Sequence, residues 1–314
     1  MPKISFHGRV IIQALFVTFL WSTSWVFIKI GLKDIPALTF AGLRYVLAFL
    51  ALLPFALKSG SLRSISQLPR GMWGRLILLG LIVYSLTQGA QFLSLAYLPA
   101  ATVSLFLSFS TVLVALFGMA YLKERPGKMQ WIGTGMYLVG VFLYLNPVEI
   151  QADQKFGLAI ALVGLLANAL ASILGRDVNR TKNVDPLGVT LVSMGVGSFV
   201  LLLTGIVTQG MPKLTPGGWG IVLWLAVVNS AFAFTLWNRT LQDLSAMESS
   251  ILNNTMLFQI AILAWLFLDE VLSFRQVFGI LTAGVGILVF QVGPSKLFWA
   301  KRDKKRAIIA TERD

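Results

Sequence analysis

Cysteine is missing from this chain, histidine occurs once, and charge is scarce. With no cysteine there is no disulfide framework and no thiolate metal cluster. The one histidine, His7, stands before the first apolar stretch, so a histidine-based catalytic centre is hard to build. Asp, Glu, Lys and Arg together make up 12% of the 314 residues, where soluble chains carry about a quarter. Long polar segments are missing too, which leaves no room for a soluble domain. What fills the chain is apolar, with 56% of residues hydrophobic. That is the composition of a protein whose solvent is lipid.

A hydrocarbon core about 30 Å thick takes about 20 apolar residues per helix. Ten such stretches can be placed, at about 10–32, 37–57, 76–97, 100–122, 129–146, 156–175, 187–208, 218–240, 246–268 and 274–293. A transmembrane β-barrel would alternate apolar and polar residues instead, and "GLIVYSLTQGAQFLSLAYL" does not alternate. The expected class is an all-α membrane protein. The first stretch is long for a signal-peptide core, and "WSTSW" within it is no small-residue cleavage site, so it is expected to remain as a helix.

With the N-terminus assigned to the cytoplasm, twenty Lys and Arg fall on that side and four outside, namely Lys33, Lys155, Lys213 and Arg275. This is a strong positive-inside signal, and an even number of helices returns the C-terminus to the same side. It also accounts for the net charge of +13 without invoking nucleic acid. The tail "KLFWAKRDKKRAIIATERD" reads as a topology anchor that can also meet anionic lipid.

"YLKERPGKMQWIG", residues 121–133, is echoed 146 positions later by "FLDEVLSFRQVFG", residues 267–279, with Leu, Glu, Gln and Gly in the same places. Without a gap, 98–140 and 244–286 agree at ten of 43 positions, among them Glu124 with Glu270, Gln130 with Gln276, Gly133 with Gly279 and Gly140 with Gly286. Each copy then holds five helices. An odd number reverses direction, so the second copy is expected upside down relative to the first. Inverted repeats are an architecture of secondary transporters, with a site near the bilayer midplane and alternating access by rocking of the halves. The domains expected are a first repeat over 1–148, a second over 149–294 and a basic tail over 295–314. Glu124 and Glu270 then read as capping or hinge carboxylates for the helix that follows each.

Four stretches, "LWSTSWVFIKIGL", "FAGLRYVLAFLALLP", "YLKERPGKMQWIGTGMYLVGVFLYL" and "FLDEVLSFRQVFGILTAGVGILVF", stand in the order and at the spacing found in a known group. The chain resembles the drug/metabolite transporter (DMT) superfamily, in particular the ten-helix bacterial exporters built from two EamA domains. The resemblance implies ten transmembrane helices as two inverted five-helix repeats. The first, third, fourth, sixth, eighth and ninth helices would line a central cavity, and the fifth and tenth would pack peripherally. It also implies a place in the bacterial inner membrane, no enzymatic activity and no cofactor, and export of small metabolites, amino acids among them. The sixth stretch departs from the first, with "LLANALASILGRD" where the first half has Trp21 and Trp25.

Polar residues inside the spans are the candidate solute contacts, because amides fix orientation and rings supply contact area. Trp21, Ser22 and Trp25 lie in the middle of the first span, with Asn168 at the place of Ser22 in the sixth. Tyr84, Gln88 and Gln91 form a stripe in the third, and across the repeat the eighth has Asn229, Trp237 and Asn238, with Trp237 the positional partner of Gln91. Ser104, Ser108 and Thr111 form a stripe in the fourth, and the ninth carries Asn253, Asn254 and Gln259. The same serines and amides also serve as ordinary interhelical contacts in membranes. Of the charged residues, Lys29 is close enough to a helix end to snorkel. Arg44 lies deeper, where it holds either a substrate carboxylate or backbone carbonyls of a neighbouring helix. Glu248 sits in "SAME", a capping-box pattern for the ninth helix.

The expectation is therefore a multi-pass transporter of small, amino-acid-like or other polar metabolites. Two other classes stay open: a lipid or lipid-linked-precursor flippase using Lys29 and Arg44, and a membrane-embedded enzyme, for which clustered acids or a metal set are wanting. Small faces such as Thr282 with Gly286 serve contacts within the chain or between chains, which leaves the oligomeric state open.

Overall fold

A backbone in hydrocarbon has no water to bond, so each apolar segment must pair its own N–H and C=O groups, and a helix does so unaided. The computed structural model describes residues 6–61, 65, 68–121, 127–146, 152–180, 185–240, 244 and 251–292, and its regular elements there are all helical. In chain order they are α1 Phe6–Gly31, α2 Ala37–Ser59, α3 Arg70–Gly80, a π-helical turn Leu81–Thr87, α4 Gln88–Tyr97, α5 Ala100–Ser108 and α6 Ser110–Tyr121. There follow α7 Lys128–Leu145, α8 Ala152–Arg180, α9 Pro186–Gln209, α10 Pro216–Ala226, a second π-helical turn Val227–Phe232, α11 Ala233–Thr240, α12 Met256–Phe267 and α13 Phe274–Val292.

Among the described residues, seven helices are long and apolar enough to cross a membrane: Phe6–Gly31, Ala37–Ser59, Arg70–Tyr97, Gln154–Gly175, Leu187–Gln209, Pro216–Trp237 and Phe274–Gln291. Shorter apolar helices run over Ala100–Val114 and Ile251–Phe267. The helices outrun the expected spans, the sixth covering 152–180 rather than 156–175, because apolarity marks the lipid-facing stretch while helical bonding continues into polar residues.

Where unbroken helices were expected, four irregularities occur, and they fall in pairs one repeat apart. The π turns begin at Leu81 and Val227, an offset of 146 residues. In the first, Thr87 Oγ1 donates to Ile82 O, five residues back, at 2.8 Å. The junction of α5 and α6 is tightened by bonds from Phe109 N to Phe106 O (3.2 Å) and Val112 N to Phe109 O (3.0 Å). At the same offset, Thr255 N bonds Leu252 O (3.2 Å) and Phe258 N bonds Thr255 O (3.1 Å). Neither junction has a proline or glycine to announce it. Instead Ser108 Oγ donates to Leu105 O at 2.7 Å and Thr255 Oγ1 to Leu252 O at 2.6 Å, hydroxyls that compete with the helix for its carbonyls.

The chain divides into two compact units, residues 1–114 with 149–271, and residues 115–148 with 272–314. In the first unit α2 packs antiparallel on α9, with Gly205 against Thr39, Gly42 against Leu202 and Gly195 against Phe49. Helix starts are fixed by side chains: Asp185 accepts from Gly188 N at 3.2 Å and Thr215 from Gly218 N at 3.1 Å, each followed by a proline at the first turn.

In the second unit α7 packs antiparallel on α13. A Cβ on Gly133 would stand 2.5 Å from Phe290 N, and one on Gly140 2.5 Å from Ala283 N. Reciprocally, Gly279 faces Tyr144 and Gly286 faces Tyr137. Gly286 thus serves a contact within the chain. The glutamines of the echoed motif cap these two helices, Gln130 Oε1 accepting from Gly127 N at 2.7 Å and Gln276 Oε1 from Ser273 N at 2.9 Å.

Glu270 corrects one expectation. It was assigned to the helix that follows it, yet its carboxylate accepts from Ala100 N at 2.7 Å and Ala101 N at 3.3 Å, capping α5. A carboxylate at a helix N-terminus meets unpaired N–H groups and the positive end of the dipole. The following helix needs no acid because Gln276 already holds its first turn. Glu124, Glu248 and the basic tail lie outside the described residues.

Candidate functional site

The first unit holds a partly open cavity of about 270 Å³, close to the lower end of the ~300–1,000 Å³ range of small-ligand sites. Trp21, Ser24 and Trp25 reach it from α1, Arg44 and Tyr45 from α2, and Gln88 and Gln91 from α4. Ser104, Leu107 and Ser108 come from α5, Ser110 and Thr111 from α6, Asn168 from α8 and Phe234 from α11. The turn before α12 gives Asn253 and Asn254, and α12 itself gives Met256, Leu257 and Ile260. Both tightened junctions, at Phe109 and Thr255, thus border the cavity on each side of their breaks.

Eight of the twelve expected contact residues line this space: Trp21, Trp25, Gln88, Gln91, Ser108, Asn168, Asn253 and Asn254. Three others do not. Ser22 is buried, donating to Thr18 O at 2.9 Å and to Gln259 Oε1 at 2.8 Å, so it joins α1 to α12. Tyr84 is buried with its ring 5.4 Å from that of Tyr45. Trp237 is not among the lining residues, and its ring stands 5.2 Å from that of Trp21, tilted by 54°. The side chain of Asn238 lies outside the described residues.

Arg44 stands within an apolar stretch of the sequence, on a helix that the resemblance does not expect to reach the cavity. It does. Arg44 is only 3% exposed. Its Nε donates to Ser230 Oγ at 2.9 Å, from the second π turn, rather than to a backbone carbonyl. The guanidinium carbon stands 5.0 Å from the centroid of Tyr45 and 5.9 Å from that of Phe92. Such cation–π contacts stabilise a desolvated cation by about 2 kcal/mol or more. Next to Ser230, Asn229 Nδ2 has three acceptors within reach of its two hydrogens: Ser24 Oγ at 3.0 Å, Thr23 Oγ1 at 3.2 Å and the carbonyl of Leu20. One π turn therefore holds both α1 and Arg44 against the cavity.

The rest of the lining is amides, hydroxyls and rings. Asn168 Nδ2 donates to Ser110 Oγ at 3.0 Å. Thr111 Oγ1 lies 3.5 Å from Asn254 Oδ1. Trp21 Nε1 and Asn254 Nδ2 are buried donors with no partner among the described residues. An unmet buried donor costs about 1–3 kcal/mol. No Asp or Glu stands among the lining residues, and among the described residues no group of His, Cys, Asp and Glu could hold a metal ion.

The model of a family described as the EamA-like transporter family matches residues 8–146 and again residues 155–291. An uncharacterized transporter of Archaeoglobus fulgidus is 26% identical over 273 residues, covering 85% of this chain and 92% of its own. The uncharacterized transporter YoaV of Bacillus subtilis is 21% identical over 286 residues, 90% of this chain and 96% of its own. The uncharacterized inner membrane transporter YedA of Escherichia coli is 26% identical over 243 residues, 74% of each chain. A solved crystal structure agrees in fold with a TM-score of 0.66 at 17% identity, covering 90% of this chain and 98% of that one.

Proposed function

The chain belongs to the EamA-like transporter family and is a multi-pass membrane protein, and from that premise we propose that it exports small polar metabolites, amino acids or related compounds, across a bacterial inner membrane by alternating access. The observation that carries the reading is the small cavity of amides, hydroxyls and indoles, walled by helices that are broken at its own level. A polar space inside an apolar bundle offsets the dehydration of a polar solute. The solute contacts proposed are Trp21, Trp25, Gln88, Gln91, Ser108, Asn168, Asn253 and Asn254.

The architecture proposed is ten membrane helices in two inverted repeats, 1–148 and 149–294, with both termini and the tail 295–314 in the cytoplasm. Support comes from paired irregularities one repeat apart, from reciprocal glycine contacts between α7 and α13, and from a family model that matches the chain twice. Symmetry-related breaks are what a rocking exchange of two faces needs, because each half can then adopt the other's conformation. A proton relay is not part of the proposal, since the cavity lining offers no acid.

The test is counterflow in liposomes. Purified protein should accumulate a labelled amino acid or comparable metabolite against an unlabelled internal pool, and a Gln91→Ala, Asn254→Ala double variant should lose most of that uptake. If no such metabolite moves, the reading is wrong.

A further inference from the structure

We infer that Arg44 is the anchor for a carboxylate on the transported solute, so that the cargo is a small organic acid or zwitterion rather than a neutral or purely cationic compound. The inference rests on the transport reading above and narrows it to a chemical class.

Arg44 is a permanently charged side chain, nearly fully buried and part of the cavity wall. Among the described residues its single hydrogen bond runs from Nε to Ser230 Oγ, and the rings of Tyr45 and Phe92 flank the guanidinium. Among the described residues no carboxylate meets it: the ion pair found there joins Arg75 to Asp177 at the surface. The cavity thus holds a positive charge that its own wall does not compensate. A buried charge without a partner is costly, and an anion delivered by the solute removes that cost.

Geometry and the remaining donors agree on the kind of anion. With Nε bonded to Ser230, the two terminal nitrogens of the guanidinium are left as a fork that matches the two oxygens of a carboxylate. The side-chain amides of Gln88, Gln91 and Asn253, which line the same cavity, can each donate to an acceptor-rich ligand. A single cation and a cavity of about 270 Å³ suit a small monoanion, not a multiply charged phosphate ester. An ammonium on the same solute would meet amide oxygens and the faces of Trp21, Trp25 and Tyr45, which accept a cation without an acid.

The experiment compares matched compounds on the wild-type protein and on Arg44→Gln and Arg44→Lys. Amino acids, their α-carboxamides, their decarboxylated amines and their deaminated acids are screened by thermal shift and then by liposome counterflow. The expected result is that the two carboxylate-bearing sets bind and move, with carboxamides and amines weaker by about tenfold or more. Arg44→Gln should lose that preference, while Arg44→Lys keeps it. Should Arg44→Gln fail to fold, the preference of the wild-type protein and of Arg44→Lys still decides. Carboxamides handled as well as acids, or a folded Arg44→Gln that still prefers acids, would overturn the anchor while leaving transport intact. Movement of none of the four sets by folded wild-type protein sinks the transport reading, and the anchor with it.

Discussion

Asn229 shows how much one side chain holds in this fold. It is fully buried, and its amide has the carbonyl of Leu20 and the hydroxyls of Thr23 and Ser24 within reach as acceptors. Asn229→Leu keeps the volume but removes the bonds that tie α1 to the second π turn, while Leu20 O keeps the Thr23 hydroxyl as a donor, so a loss of about 1 kcal/mol is expected. Thermal unfolding of the purified protein should show it, and an unchanged melting temperature would mean that the bonds are replaced. Glu270→Gln is the milder case. It keeps an acceptor for Ala100 N but removes the charge that meets the helix dipole, a change of about 0.3–1 kcal/mol. The sequence displayed Asn229 inside an apolar run and Glu270 at the end of one; it did not display their partners, which lie 209 and 170 residues away.

At the scale of the element, a helix written in an apolar run is easy to read and its rotation is not. Tyr84, Gln88 and Gln91 make one stripe on an α-helix, yet Gln88 and Gln91 line the cavity while Tyr84 packs on Tyr45. The π turn over 81–87 lies between them and takes more residues per turn, so spacings of four no longer stack. Ser22 was chosen on the same logic, and Ser24 is the serine that reaches the cavity. Nothing in the residue types of 81–87 or 227–232 encodes such a turn locally. The glycines Gly133, Gly140, Gly279 and Gly286, by contrast, were legible because the echo repeats them. Deleting one residue within 81–87 should remove the wide turn and restore plain α-helical bonding, with Gln88 and Gln91 turned by about 30° relative to the preceding helix. Membrane insertion should survive and counterflow should fall to background; full activity would show that the π turn is dispensable. In the second unit, Gly133→Val drives a side chain into the backbone of Phe290 and should destabilise by about 1–3 kcal/mol or more. Gly135→Val, on the same helix with nothing within 4 Å, is the control and should be tolerated.

For the whole molecule, the proposal that matters most is inversion, and the missing cysteine makes it directly testable. Any cysteine introduced is the one thiol in the chain, so a membrane-impermeant maleimide applied to intact cells reads a single site. Gly127 and Ser273 stand 146 residues apart in the echoed motif, both exposed and both at the start of a helix of the second unit. Arg70 and Pro216 are a second pair at the same offset, at the starts of α3 and α10. If the chain ran twice through the membrane in the same sense, the members of each pair would lie on one side. With five helices per copy they must lie on opposite sides. The charge bias fixes which: Gly127→Cys and Arg70→Cys belong with the twenty basic residues and should label after permeabilisation alone, whereas Ser273→Cys and Pro216→Cys should label on intact cells. Asp34→Cys and Ser59→Cys, exposed at the two opposite ends of the α1–α2 hairpin region, calibrate outside and inside. Same-side labelling of Gly127→Cys and Ser273→Cys would remove the inverted repeat, and with it the symmetry argument for exchanging the two faces of the cavity.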